Sequence, residues 1–162
     1  MRRGISICLM MLVVWTGTVS YESLAENEME TDSMENTAPT KIEPCPSSPN
    51  CVSSTSAGEA HFIEPFVLAG SDDLAPIRDY LVKQARITVI NQTANYLHVE
   101  ARTRLLRFVD DVEFLLDADG ATLHIRSASR VGYSDLGTNR RRLETMRTEL
   151  VELGVIAGGV AR

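Results

Sequence analysis

Leu106-Arg-Phe-Val-Asp-Asp-Val-Glu-Phe-Leu-Leu116, Asp117-Ala-Asp-Gly120 and Ala121-Thr-Leu-His-Ile-Arg-Ser-Ala-Ser-Arg130 read as strand, turn and strand. Both arms alternate apolar and polar residues, the period-two pattern of a strand with one buried face. Asp119-Gly120 is a strong hairpin signal. With Asp117 opposite Gly120, one face pairs Phe114 with Leu123, Val112 with Ile125, Asp110 with Ser127 and Phe108 with Ser129. The other face pairs Glu113 with His124 and Asp111 with Arg126. A one-residue slip would mix Glu113 with Ile125, so the apolar pattern selects this register unless Gly120 forms a bulge.

Working outward, Arg86-Ile-Thr-Val-Ile90 and Tyr96-Leu-His-Val-Glu-Ala-Arg-Thr103 also alternate, with Gln92-Thr-Ala-Asn95 turning between them. Ser71-Asp-Asp-Leu starts a helix whose stripe, Leu74, Ile77, Leu81 and Val82, runs to about Gln84. Residues 61–68 form a short strand that Pro65 confines to an edge. Leu143, Met146, Leu150 and Leu153 mark a second helix, closed by Gly154. The expected fold is therefore α+β: a four- to five-stranded antiparallel meander with two helices on one face. Its β-α-β-β-β-β-α order is similar to TATA-binding-protein-like folds and to a shortened helix-grip fold. Residues 45–154 are expected to make one domain, followed by a loose tail at 155–162.

The N-terminal end reads as an address. Arg2 and Arg3 precede an apolar run over residues 5–15, too short to span a bilayer comfortably, which predicts a signal peptide over residues 1–20. Cleavage before Tyr21 fits Thr18 and Ser20, and a second option falls after Ser23-Leu-Ala25; an uncleaved membrane anchor is the alternative. Residues 21–44 hold seven acidic side chains against Lys41 and predict a disordered spacer. Of the chain's net charge of −6, that segment supplies −6 and residues 45–162 only −2, offset by +2 from the first segment. The folded part thus lacks the basic excess of a general nucleic-acid binder. Cys45 and Cys51 close a small Pro-containing loop, which in an exported protein most simply forms a structural disulfide. The expected location is periplasmic or secreted.

Arg126-Ser-Ala-Ser-Arg-Val-Gly-Tyr-Ser-Asp-Leu-Gly-Thr-Asn-Arg-Arg-Arg142 carries most of the directional polar groups. Ser134-Asp135 or Thr138 is the expected cap of the last helix, so Arg140, Arg141 and Arg142 fall near its start and oppose the helix dipole. Asp110 shares the helix-covered face with Ser127 and Ser129 and needs a cationic partner there, expected to be an arginine at the start of that helix. Either aspartates alone compensate the arginines, or a bound anion does. The candidate ligand-binding set is Arg107, Asp110, Arg130, Tyr133, Asp135, Asn139, Arg140 and Arg141. No catalytic residue is assigned. His61, His98 and His124 show no metal-ligand spacing, no phosphate loop or dinucleotide fingerprint occurs, and no cofactor is expected. Asp110 and Asp111 point to opposite faces of one strand and cannot act as an acid–base pair.

Cys45-Pro-Ser-Ser-Pro-Asn-Cys-Val-Ser-Ser54, Leu105-Leu-Arg-Phe-Val-Asp-Asp-Val-Glu-Phe114, and Arg126 through Gly137 followed by Asn139-Arg-Arg-Arg142 closely resemble the domain-of-unknown-function 1499 family over residues 44–154. The resemblance implies a bacterial or plastid domain, often exported or membrane-attached, without an assigned activity or catalytic residues. The leading expectation is a non-enzymatic exported domain that binds an anionic small molecule or an envelope partner at the strand–helix junction. A hydrolase-like enzyme using Asp110, Tyr133 or Asp135 and a purely structural envelope protein are the alternatives. Membrane contact is expected only through an uncleaved N-terminal segment.

Overall fold

The computed structural model of the chain describes residues 39–70 and 72–158. The expected signal peptide, most of the acidic spacer and the expected first capping residue, Ser71, lie outside the described residues. The central meander is β3 (Ile87–Gln92), β4 (Tyr96–Arg102), β5 (Val109–Leu116) and β6 (Thr122–Ser129), each antiparallel to the next. Two short strands then divide the outer edge of β6. β1 (Cys51–Ser53) pairs with its second half and β2 (Phe66–Val67) with its first. The helices are α1 (Ala75–Leu81) and α2 (Thr138–Glu152). The expected α+β meander is the observed architecture, with β1 as a strand that the disulfide loop concealed.

One sheet face makes the core. Leu97 and Val99 of β4, Val112 and Phe114 of β5 and Leu123 and Ile125 of β6 are fully buried there, in one cluster with Ile77 and Leu81 of α1 and Leu143 and Leu150 of α2. The alternation of the two long arms thus serves its expected purpose: every second residue is removed from water. α1 is shorter than its stripe suggested. Pro76 sets its first turn, Asp73 accepts the Ala75 N–H at 2.7 Å, and the residues after Leu81 continue as tighter turns to Gln84.

The β5–β6 register differs from the sequence expectation by two residues. Asp110 opposes Ser129, Val112 opposes Ser127 and Phe114 opposes Ile125, while Glu113 opposes Arg126 across the other face. A shift of two preserves which face each side chain occupies, so the apolar pattern could not detect it. The turn decides it. Asp117 N–H donates to Thr122 O, and the Asp119 carboxylate accepts from the N–H groups of Ala121 and Thr122 and from the Thr122 hydroxyl. Gly120 takes the left-handed conformation this longer loop requires.

Two other expectations change. Ile42, within the expected spacer, is 3% exposed and packs with Tyr96 and Leu115 on the far side of the sheet. The expected loose tail is tied at its start: Ile156 is buried, bridges to Leu68, and Ala157 N–H donates to Val67 O. Single apolar residues in polar or small-residue surroundings carry no periodicity, so neither contact had a sequence signature. The expected disulfide is present, with Cys45 and Cys51 Cα atoms 5.6 Å apart. Among the described residues no helix is long and apolar enough to cross a membrane.

Candidate functional site

At the end of the sheet where β6 leads into α2, a buried polar knot joins four parts of the chain. Asp110 on β5 is 1% exposed, and its Oδ2 accepts from Arg142 Nη2 at 2.5 Å. Arg142 Nη1 donates to Asn139 Oδ1 at 2.7 Å and to the Ser127 hydroxyl at 3.0 Å. Asn139 is fully buried and spends its amide on Asn50 O and the Ser129 hydroxyl, both at 3.0 Å. Asn50, beside Cys51, in turn donates to Gly132 O at 2.7 Å. The pairing of Asp110 with an arginine early in the last helix is thus as expected; the helical i, i+3 spacing stacks Asn139 and Arg142 on the same side, facing the sheet.

Buried carboxylates and guanidinium groups persist only when paired and hydrogen-bonded, and this knot meets nearly every demand. Asp110 Oδ1 is the exception, buried with no donor among the described residues. It borders a groove of about 840 Å³.

That groove is floored by Asp110, Arg142 and Met146 and walled by the loop over residues 103–108, the loop over residues 130–137 and the turn before β3. Its lining mixes apolar side chains (Leu105, Leu106, Phe108, Val131 and Leu136) with Arg86, Arg104 and Arg141. Among the described residues no carboxylate lies within salt-bridge distance of these three arginines. Among the described residues the three non-glycine residues with positive φ, namely Arg86, Arg107 and Leu136, stand in the segments around this groove. Such conformations cost on the order of 1–3 kcal/mol each and concentrate at functional sites.

The eight sequence candidates separate. Asp110 and Arg141 line the groove, as does Asp135; the N-cap of α2 is Gly137 rather than the expected Ser134-Asp135 or Thr138, and the Asp135 carboxylate, two residues ahead, accepts from the Gly137 and Asn139 N–H groups at 2.9 and 2.7 Å. The helix start is therefore internally satisfied at those positions rather than open to an anion. Asn139 is sealed in the knot. Arg140 donates to Phe62 O at 2.7 Å and to Ala60 O at 3.1 Å, holding the segment before β2. Arg107 and Tyr133 are exposed and do not line the groove. Arg130 belongs to the helix-free face, where it contacts Asp111 at 2.7 Å and Glu100 at 2.9 Å. Of the three groups named for a hydrolase, Asp110 and Asp135 line the groove, engaged by Arg142 and by the α2 N–H groups, and Tyr133 does not line it.

The helix-free face carries its own network. Arg130 and, secondarily, His98 at 2.7 Å hold the Asp111 carboxyl below the usual carboxylate range. Burial, reinforced by the Glu113 carboxylate 2.8 Å away, pushes the Tyr96 hydroxyl up; burial and Glu149 do the same to Tyr80 at the groove's edge. Among the described residues no group of three or more His, Cys, Asp or Glu side chains is placed to hold a metal ion.

Residues 41–150, which contain the knot and the groove, match the model of the family described as Protein of unknown function (DUF1499). The chain belongs to the DUF1499 family. No curated protein and no solved structure matches it. The DUF1499 span begins just ahead of Ile42 and runs through the disulfide loop to Leu150, so it holds all of the buried core except Ile156.

Sequence reasoning missed Asn50 and gave Arg142 no place in the ligand set, although the first joins the knot and the second anchors Asp110. It also missed the groove's apolar wall. Leu106 and Phe108 read as strand residues, but the strand begins only at Val109. Leu105-Leu106 between Arg104 and Arg107 breaks the alternation, and that break was the available signal.

Proposed function

We propose that this DUF1499 domain is an exported, non-enzymatic binding domain whose ligand places an anionic group in the groove at the strand–helix junction. One observation carries the reading: Arg86, Arg104 and Arg141 line an apolar-walled groove without a carboxylate partner among the described residues. Elsewhere at the junction Arg142 pairs with the Asp110 carboxylate and Arg130 with Asp111 and Glu100, while Arg140 and Arg141 meet backbone carbonyls. Arginines favour carboxylates and phosphates, which accept from the planar fork in pairs. The Arg2-Arg3 start, the apolar run after it and the Cys45–Cys51 disulfide support export.

Thermal-shift screening with phosphate, sulfate, short-chain and long-chain carboxylates tests the groove. A ligand at a hundred times its Kd stabilises the fold by about 2.7 kcal/mol, which raises Tm by several degrees. Arg141→Ala and Arg104→Ala should each remove that shift while leaving the unliganded Tm nearly unchanged, because both side chains are exposed. No shift with any anion, or a shift that survives both substitutions, sinks the reading.

A further inference from the structure

Eleven large apolar side chains are exposed among the described residues, and six of them stand in the two loops that wall the groove. These are Leu105, Leu106 and Phe108 between β4 and β5, and Val131, Tyr133 and Leu136 between β6 and α2. Leu105 is 91% exposed and Leu136 83%, so neither contributes to the core. The loops leave the same end of adjacent strands, since Arg102 pairs with Val109 and Asp110 with Ser129. Clustering at this level is uncommon on a surface that faces only water and marks a contact site.

Arginines predominate among the charges around the cluster. Arg104 and Arg107 flank Leu105-Leu106 in sequence, both are exposed, and neither has a carboxylate within salt-bridge distance among the described residues. Arg86 and Arg141 add to them from the groove wall. The loop over residues 103–108 contains no acidic residue, and the groove's carboxylates are engaged: Asp110 by Arg142, Asp135 by the α2 N–H groups and Glu149 by the Tyr80 hydroxyl. Bulky apolar tips ringed by arginine match the interface of an anionic bilayer, where leucine and aromatic groups enter the headgroup–acyl boundary and cations meet lipid phosphates.

We infer that these two loops form a membrane-contacting tip, which seats the groove against an anionic lipid surface and makes a lipid headgroup the source of its anionic ligand. The inference deepens the groove reading and rests on it for the sign of the ligand's charge. It is a contact separate from the N-terminal apolar segment, which alone was expected to meet a membrane.

The chain has one tryptophan, Trp15, so the full chain carrying Trp15→Phe with Leu106→Trp reports only from the tip. A Leu153→Trp reporter in the same background is the control, because Leu153 follows the last turn of α2, about 22 Å along the helix from the junction. With vesicles containing phosphatidylglycerol, the Leu106→Trp emission should shift to the blue and be quenched by lipids brominated on the acyl chain, while the Leu153→Trp emission should do neither. Adding Arg104→Glu and Arg107→Glu should weaken the response by more than about tenfold, since each arginine near an anionic surface is worth about fivefold. No response at position 106, an equal response at position 153, or equal insertion into phosphatidylcholine vesicles overturns the inference. Soluble anions that still stabilise the protein in that event leave the groove reading standing; loss of both removes both.

Discussion

Replacing Arg142 by Met should be the most damaging single change at the junction, and its cost follows from Asp110. That carboxylate is 1% exposed, Arg142 is its donor at Oδ2, and Oδ1 has none among the described residues. Arg142→Met removes the partner and leaves an unpaired buried charge, which costs about 3–5 kcal/mol. Against the roughly 5–15 kcal/mol that holds a typical domain, this is about a fifth of the stability or more. The pair is little screened, since the Arg142 side chain is only 14% exposed. Asp110→Leu alone should cost a similar amount, because the guanidinium group then keeps only Ser127 and Asn139 as acceptors. The double variant removes both charges and should lose far less than the sum, with a coupling of about 2 kcal/mol or more. Guanidinium denaturation of the four proteins measures it through the midpoint at constant slope. Additivity within about 0.5 kcal/mol would refute the claim that Asp110 is dry and dependent on Arg142.

Opening the Cys45–Cys51 loop by Cys45→Ala and Cys51→Ala should cost about 2 kcal/mol from loop entropy, and more if Asn50 leaves the knot; urea midpoints of the oxidised and double-alanine proteins compare the two. An unchanged midpoint would mean that Asn50 is held without the bridge. On the acid side, Asp111 has a depressed folded-state pKa, so its contribution is present above about pH 4 and is lost as pH falls through the lower folded value. Asp111→Asn should flatten that limb of the stability curve. On the alkaline side, Tyr80 and Tyr96 have raised values, so their contribution is complete below about pH 10 and declines as pH rises further. Tyr80→Phe and Tyr96→Phe together should flatten the alkaline limb, and a limb that persists in the double variant would contradict the assignment.

The fold was legible wherever periodicity spoke: the alternation of residues 109–116 and 122–129 named the sheet face and therefore the core. Register was not, because a shift of two keeps every side chain on its face and only the Asp119 carboxylate selects among such shifts. Asp110 was legible as a buried acid needing an arginine, since its alternation places it among Val112 and Phe114. Asn50 was not, because a contact across 89 residues with Asn139 leaves no local trace. The groove was hidden for a related reason: its wall is built by loops, and loops have no period to read.

The three consecutive arginines at the junction resolve into three separate tasks. An α-helix turns about 100° per residue, so neighbours in sequence point in different directions. Arg142 turns inward to Asp110, Arg140 turns to the carbonyls ahead of β2, and Arg141 reaches back to Leu136 O at 2.8 Å along the groove. All three place cations near a helix start, where the dipole opposes them; Arg142 is offset by a carboxylate, and Arg140 and Arg141 only by neutral oxygens. Arg141 meets only the Leu136 carbonyl and the Thr138 hydroxyl, and its neighbours on the groove wall are Arg86, Arg104 and leucines. A cation kept at an unfavourable end of a helix, beside two more and without a carboxylate in reach among the described residues, is stabilised by adding an anion. That remaining imbalance, rather than the number of arginines, is the physical reason to look for a ligand at this site.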